Sequence, residues 1–553
     1  MNARIGILIG LVCLLMFGCG GGEPAGEGPE TAEAPVDGGT AVISTVSDFD
    51  AFNELVSTDY DTNQTMSYIL YMNLIQLDEN MNYVPYLADS FWMSEDGLSL
   101  SFRVRDGVTW HDGTPVTADD VVWTYEMSVN PDIAYANSAY FQYVTRAVKA
   151  DDRTVRFDFS AAHSDAPMDF TEWSIMPKHL LEGIPAAEMR NAPFNRNPIG
   201  NGPFRFVSWD SNQQVVFEAN PDFVFGRPHL DRIVVRIIPE QTTELTELLT
   251  GGVDFMRAVP PAEMHRVEDS EDHYAITYPA RSYTFLAWNT RNPLFESANV
   301  RRALTMAINR QEIVEALLYG YGTVAVSDAM PFQWEFNEEL EPWPYDVEEA
   351  RRLLAEEGWT DHDGDGIIDK DGRPFRFTLR TNQGNDLRED IVVIVQNALQ
   401  QVGIDAQPQM VEWNTFITDL KAKKFEAAVS GWSVDFKFNP TDTFSTEAIE
   451  AGQYNYPSYS NPVADSLMEL ALSTLDREAA KPLWNQYSEI IHQDQPYTFL
   501  YYLNERVGVN NRLRSVKADA RGHLINAAEW WIPENLQRRG GEQPVAVASE
   551  AAR

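Results

Sequence analysis

Both cysteines of this 553-residue chain, Cys13 and Cys19, lie within its first nineteen positions. Whatever folds beyond them has no disulfide to rely on, so buried apolar surface must supply the stability. The composition allows this, with 44% of residues hydrophobic and 12% aromatic. At ~150 residues per domain the length corresponds to roughly three to four domains. Strand and helix periodicities alternate along the chain in no fixed repeat. Leu98, Leu100, Phe102 and Val104 alternate with polar residues, as do Val155, Phe157 and Phe159, Ile233, Val235 and Ile237, and Phe375, Phe377 and Leu379. Helical spacing links Val300, Leu304, Ala307 and Ile308, and again Ile391, Ile394, Val395, Ala398, Leu399 and Val402 up to Gly403. Asp346 predicts an N-cap for a helix through Val347, Ala350 and Leu354 that stops at Gly358. Mixed order of this kind specifies α/β or α+β domains rather than a sandwich or a bundle. Residues 536–553 turn polar and small, which predicts a frayed C-terminus.

Arg4 precedes an apolar stretch from Ile5 to Phe17. The stretch is too short to span a bilayer stably, and it fits a secretory signal. It closes on Leu15-Met16-Phe17-Gly18-Cys19, which resembles a bacterial lipobox. Residues 1–18 are expected to be removed as a signal peptide, leaving Cys19 as a lipidated first residue; an ordinary secretory cut elsewhere is the alternative. Residues 19–37, rich in Gly, Pro, Glu and Ala, then read as a low-complexity tether. No later segment offers ~18 uninterrupted apolar residues. The expected location is extracytoplasmic, with the lipid anchor as the only contact with a membrane.

The chain carries 83 acidic and 42 basic residues, a net charge of −41 that becomes −42 when Arg4 leaves with the signal. Nucleic acid is excluded as a partner, because phosphate binding needs clustered Lys and Arg. The nine histidines are scattered, and no HExxH, GxSxG, phosphate-loop or dinucleotide motif is present. No cofactor is required by any motif, and among 83 carboxylates a pair poised for hydrolysis carries no signal. One cation motif stands out. Asp361, Asp363, Asp365 and Asp369, with Gly366 at the sixth position, read D-x-D-x-D-G-x-x-D. Such a loop can curl its oxygens around one hard cation, here a structural Ca²⁺. Gly372 replaces the bidentate Glu of an EF-hand, so an exposed acidic turn is the other reading.

Four segments in register carry a family resemblance. They are Trp110-His111-Asp112-Gly113-Thr114-Pro115-Val116-Thr117-Ala118-Asp119-Asp120-Val121 and Asn197-Pro198-Ile199-Gly200-Asn201-Gly202-Pro203-Phe204, then Trp288-Asn289-Thr290 with Val300-Arg301-Arg302-Ala303-Leu304, and Ser430-Gly431-Trp432-Ser433-Val434-Asp435. Together they are similar to the peptide and oligopeptide binders, family 5, among the solute-binding proteins of bacterial ABC importers. Locally the first two read as fold markers: Gly200 and Gly202 permit a sharp turn, and Thr117 with Asp120 makes a capping box.

The resemblance implies an α/β, two-lobed periplasmic-binding-protein fold, class II-like, with an inserted domain. Lobe I would comprise 38–70, 196–283 and 507–545, domain II 71–195 and lobe III 284–506, with 546–553 a tail and hinges near 283 and 506. It further implies a monomer that captures a peptide between closing lobes and passes it to permease subunits driven by a cytoplasmic ATPase. Asp435 would pair with the peptide α-ammonium, unless Lys437 neutralises it. Trp432 would pack on the ligand or fill the core, and a strand edge near Asp59-Tyr60-Asp61 would grip the peptide main chain. An oligosaccharide or other solute on the same fold is the alternative, and a secreted carboxylate-dependent hydrolase is the competing class.

Overall fold

The computed structural model describes residues 33–162, 165–450 and 452–537. The expected signal peptide, Cys19, most of the expected tether and the tail at 546–553 lie outside them. Among the described residues, one sheet of eleven strands organises the molecule. Its middle is the pairing of two long strands, His273–Trp288 and Tyr497–Asn510, which run antiparallel from one half of the molecule to the other. On one side follow Phe255–Met256, Thr40–Thr45, Arg232–Ile237, Gln214–Ala219 and Phe204–Asp210; on the other, Ala427–Ser433, Arg376–Asn382 and Asp405–Val411. Gly322–Val324 pairs separately with Tyr497–Asn510.

The long strand changes its burial pattern midway. Ile276, Tyr278 and Ala280 are buried between half-buried neighbours, whereas from Phe285 to Trp288 every residue is buried, so alternation gives way to a stretch covered on both faces. The register is irregular between the two stretches: Pro279 faces Asn504 but Tyr283 faces Tyr502, a bulge that leaves Ala280, Arg281 and Ser282 opposite Leu503, and a second shift follows between Thr284 and Phe285. The crossings expected near 283 and 506 thus fall within paired strands rather than loops.

The inserted segment builds a four-stranded antiparallel sheet in the order Ala88–Met93, Ser99–Val104, Thr154–Phe159, Val144–Lys149. Its core is continuous with that of the first lobe, one cluster running from Ala41 through Phe102, Phe157 and Trp173 to Ile532. The second lobe has separate clusters, one holding Trp288, Phe377 and Leu399 and another holding Phe285, Trp484 and Phe499. Local signals are obeyed. Asp346 caps Val347–Glu356 by accepting from Glu349 N–H at 2.9 Å, and Gly358 follows at φ +86°. Asp120 accepts from Thr117 N–H at 2.8 Å at the start of Ala118–Ser128.

The turn role expected of Gly200 and Gly202 needs a correction of mechanism. Neither sits at positive φ; both are small because Leu70 passes against them. A Cβ at Gly200 would lie 2.0 Å from the Leu70 carbonyl oxygen, and one at Gly202 2.7 Å from the Leu70 carbonyl carbon. His111 fastens the same corner, its N–H donating to Gly200 O at 2.8 Å and its ring Nε2 standing 3.1 Å from Gly202 O. Burial pushes the His111 pKa down to about 4. The ring is therefore neutral at pH 7, able to donate through Nε2–H. Gly200→Ala is expected to destabilise the protein by about 1–3 kcal/mol in denaturant titration. Gly183→Ala, where a Cβ meets nothing within 4 Å, is expected to stay within about 0.5 kcal/mol; equal effects would refute the close-approach explanation.

Candidate functional site

A cleft of about 520 Å³ opens between the inserted domain and the second lobe. Tyr140, Tyr143, Asp169 and Glu172 line one wall, and Tyr283, Asp328, Gln333, Trp432, Asp435 and Phe438 the other. The second wall is set by the strand Ala427–Ser433, which lies against the long strand with Gly431 opposite Thr284. A Cβ there would stand 2.9 Å from Arg388 Nη2 and 3.0 Å from the Tyr283 carbonyl oxygen, a tight fit that glycine avoids. Val434 continues the pairing by donating to Arg281 O at 2.9 Å, and Gln333 Nε2 holds the next carbonyl, Asp435 O, at 2.8 Å. The Asp435 side chain therefore stands on a fixed loop at the cleft margin.

The partner of Asp435 is Arg281, not Lys437. From the bulge, Arg281 donates through Nη1 to Glu172 at 2.9 Å and through Nη2 to Asp435 Oδ1 at 3.3 Å. Its guanidinium also lies 4.4 Å from the Phe436 ring centroid. Burial works against this charge, but Glu172 and Asp435 outweigh it and hold the guanidinium pKa above its ordinary value. Lys437 reaches instead across the cleft to Asp169, at 3.3 Å. The Tyr140 hydroxyl lies 3.5 Å from Asp435 Oδ1, whereas Oδ2 has no hydrogen-bond partner among the described residues. Trp432 stacks on Phe285 and Tyr456 in the core, and it also lines the cleft.

The strand edge expected at Asp59-Tyr60-Asp61 is not formed. Asp59 is the N-cap of a helix, Tyr60–Thr65, its carboxylate accepting from Thr62 N–H at 2.8 Å. A helical turn does not present the alternating donors and acceptors of a strand edge. Asp61 faces the first lobe, accepting from Thr45 Oγ1 at 3.1 Å and pairing with Arg257 at 3.4 Å. Tyr60 is 42% exposed and has Arg257 over its ring at 5.1 Å.

In the acidic loop, Asp361, Asp363 and Asp369 can each bring one oxygen within 4.8 Å of the others, a donor set suited to a hard cation. Asp365 is not in that set; its Oδ1 accepts from Ile367 N–H at 2.8 Å. Asp361 already accepts from Gly364 and Gly366 N–H, at 2.7 and 3.1 Å.

Residues 82–454 match the model of the middle region of bacterial extracellular solute-binding proteins, family 5. The chain belongs to that family. Among relatives of this family, oligopeptide-binding protein AppA of Bacillus subtilis is 35% identical over 531 residues, 94% of this chain and 97% of that protein. Heme-binding protein A of Haemophilus influenzae is 26% identical over 493 residues, 84% of this chain and 85% of the other. The solved structure of B. subtilis AppA, in complex with a nonapeptide, overlays with TM-score 0.68, covering 91% of this chain and 100% of that one. NikZ of Campylobacter jejuni, in complex with Ni(L-His), also overlays with TM-score 0.68 at 25% identity, over 89% of this chain and 99% of that one. The two-lobed α/β fold expected from the sequence is the fold of this family-5 protein. Relatives in the family bind solutes rather than transform them, and no helix among the described residues is long and apolar enough to cross a membrane.

Sequence reasoning missed Arg281, Glu172 and Asp328. The first two lie 154 residues and more from Asp435 or belong to the inserted domain, and no local pattern marks them. In double-mutant cycles followed by denaturant unfolding, Arg281 and Glu172, both largely buried, are expected to couple by about 0.5–3 kcal/mol. Arg281 and Asp435, whose side chain is 57% exposed, are expected to couple by only about 0.2–1 kcal/mol. A vanishing Arg281–Glu172 coupling would show that the guanidinium does not tie the inserted domain to the bulge.

Proposed function

We propose that this protein captures peptides in the cleft and delivers them to a membrane permease as the extracytoplasmic component of an ABC importer. The observation that carries the peptide reading is Asp435: a carboxylate on a fixed loop of the cleft wall, with Oδ2 left for a ligand. A peptide α-ammonium meets that oxygen without displacing Arg281, and the pair is strengthened as closing lobes exclude water. Membership in family 5, and a 35% identical relative solved with a nonapeptide, support the same reading. The aromatic lining of Tyr140, Trp432 and Tyr454 suits peptide side chains, and it suits a sugar face as well.

Mass spectrometry of ligand released from the purified protein, followed by calorimetry with that compound, separates the two. Peptides are expected; recovery of sugars alone, with no heat from any peptide, would overturn the reading. Asp435→Ala is expected to weaken peptide binding by about 2–5 kcal/mol, and unchanged affinity would remove Asp435 from the site.

Cys19 is proposed as the acylated residue, on the strength of the lipobox-like run before it. Cys19→Ser is expected to abolish metabolic palmitate labelling and release the protein from membranes. Labelling that persists would place the lipid elsewhere or the cut at another position.

A further inference from the structure

The cleft holds more acid than its own bases neutralise. Asp169, Glu172, Asp328, Asp435 and Asp442 line it, with Lys437 the lysine among them. Lys437 pairs with Asp169, and Arg281 serves Glu172 and Asp435. Asp328 and Asp442 have no cationic partner among the described residues. Asp442 is exposed to solvent, where an unpaired carboxylate costs little. Asp328 is only 5% exposed.

A carboxyl group in that position needs an account. Asp328 follows the short strand Gly322–Val324, and its Oδ2 accepts from the Tyr487 hydroxyl at 3.0 Å. Oδ1 is buried without a hydrogen-bond partner. The titratable groups facing it are Tyr487 from the helix Arg477–Asp494, Tyr283 from the long strand, and Tyr497 and Tyr502 from its partner strand. All four are phenols that burial keeps neutral, so nothing in the protein offsets a negative charge there. An unpaired buried carboxylate is strongly unfavourable, and burial accordingly raises the Asp328 pKa to about 7. Trp432, Tyr283 and Phe438 line the same cavity with aromatic surface, which attracts cations.

We infer that Asp328 is the acidic end of a side-chain pocket that receives an arginine or lysine of the bound peptide. This rests on the peptide reading above and adds to it a charge class for one ligand residue, at a site separate from Asp435. A cation entering the pocket supplies the counter-charge that Asp328 lacks and favours the ionised carboxylate. Below pH ~7 the proton carried by Asp328 must leave as the cation arrives, so affinity for such peptides rises with pH until the free carboxyl has ionised.

The test uses nonapeptides of alanine and serine carrying one arginine, moved through each position in turn, against identical peptides with citrulline in its place. Calorimetry at pH 6 and pH 8, in two buffers of different ionisation enthalpy, reads affinity and proton release together. In at least one register, arginine is expected to bind about tenfold tighter than citrulline at pH 8, which is about 1.4 kcal/mol. At pH 6 the preference is expected to shrink, with close to one proton released per peptide. Asp328→Asn is expected to bring the arginine-to-citrulline ratio close to one. Equal binding of the two series in every register, or a preference that survives Asp328→Asn, would overturn the inference while leaving peptide capture intact. Should the variant not fold, the wild-type ratio and proton count decide alone. Absence of binding by any peptide would instead overturn the peptide reading, and this inference with it.

Discussion

The pairing of His273–Trp288 with Tyr497–Asn510 is the constraint on which the other arrangements depend. Two antiparallel strands that serve both halves make the main sheet one hydrogen-bonded object, so neither lobe can shift without flexing this ribbon. The bulge at Ala280–Ser282 is where the ladder already departs from regular register. Arg281 projects from that point to Glu172 and Asp435, so a change in ribbon geometry is felt directly at the cleft wall.

The interior uses charge in a particular form. Of 42 basic residues only nine are lysine, and the arginines explain why. Arg301 is 4% exposed and donates to four carbonyls, those of Phe295, Glu296, Asp494 and Gln495. Arg310 does the same for Ala325, Phe499 and Trp343. Arg512 forks onto Asp254 and also holds Thr40 O at 2.9 Å. A planar fork with five donors can satisfy several irregular backbone oxygens at once, which an ammonium cannot. With no disulfide among the described residues, these arginines pin loops that would otherwise bury unsatisfied carbonyls. Burial depresses the Arg301 and Arg310 pKa values to about 10, leaving both charged at neutral pH.

Much of this was legible beforehand. Strand alternation located Ser99–Val104, Thr154–Phe159 and Arg232–Ile237, and Asp346 located a helix start, because those signals are carried by neighbours in sequence. The Gly431–Trp432–Asp435 run identified one cleft wall for the same reason. What failed to show were pairings across distance. Lys437 stands two residues from Asp435 and was the alternative to a ligand ammonium as its counter-charge, yet the chain turns it toward Asp169. At Asp59–Asp61 a capping aspartate made helix where a strand edge was expected. Asp328 sits in a stretch, Ser327-Asp328-Ala329-Met330, with no periodicity at all. The tyrosines that face it come from three other elements.

The contact between Arg512 and Thr40 spans 472 residues of sequence. A chain synthesised from its N-terminus at ~5–20 residues per second has Thr40–Thr45 in hand tens of seconds before the residues that close over it. In the second lobe Arg376–Asn382 pairs with Asp405–Val411 made soon after it, but Ala427–Ser433 pairs with the much earlier His273–Trp288, which itself waits for Tyr497–Asn510. Both halves therefore close on late segments, the second on Tyr497–Asn510 and the first on Arg512 and the residues after it, so the early strands have to be kept from pairing wrongly until the end of the chain arrives.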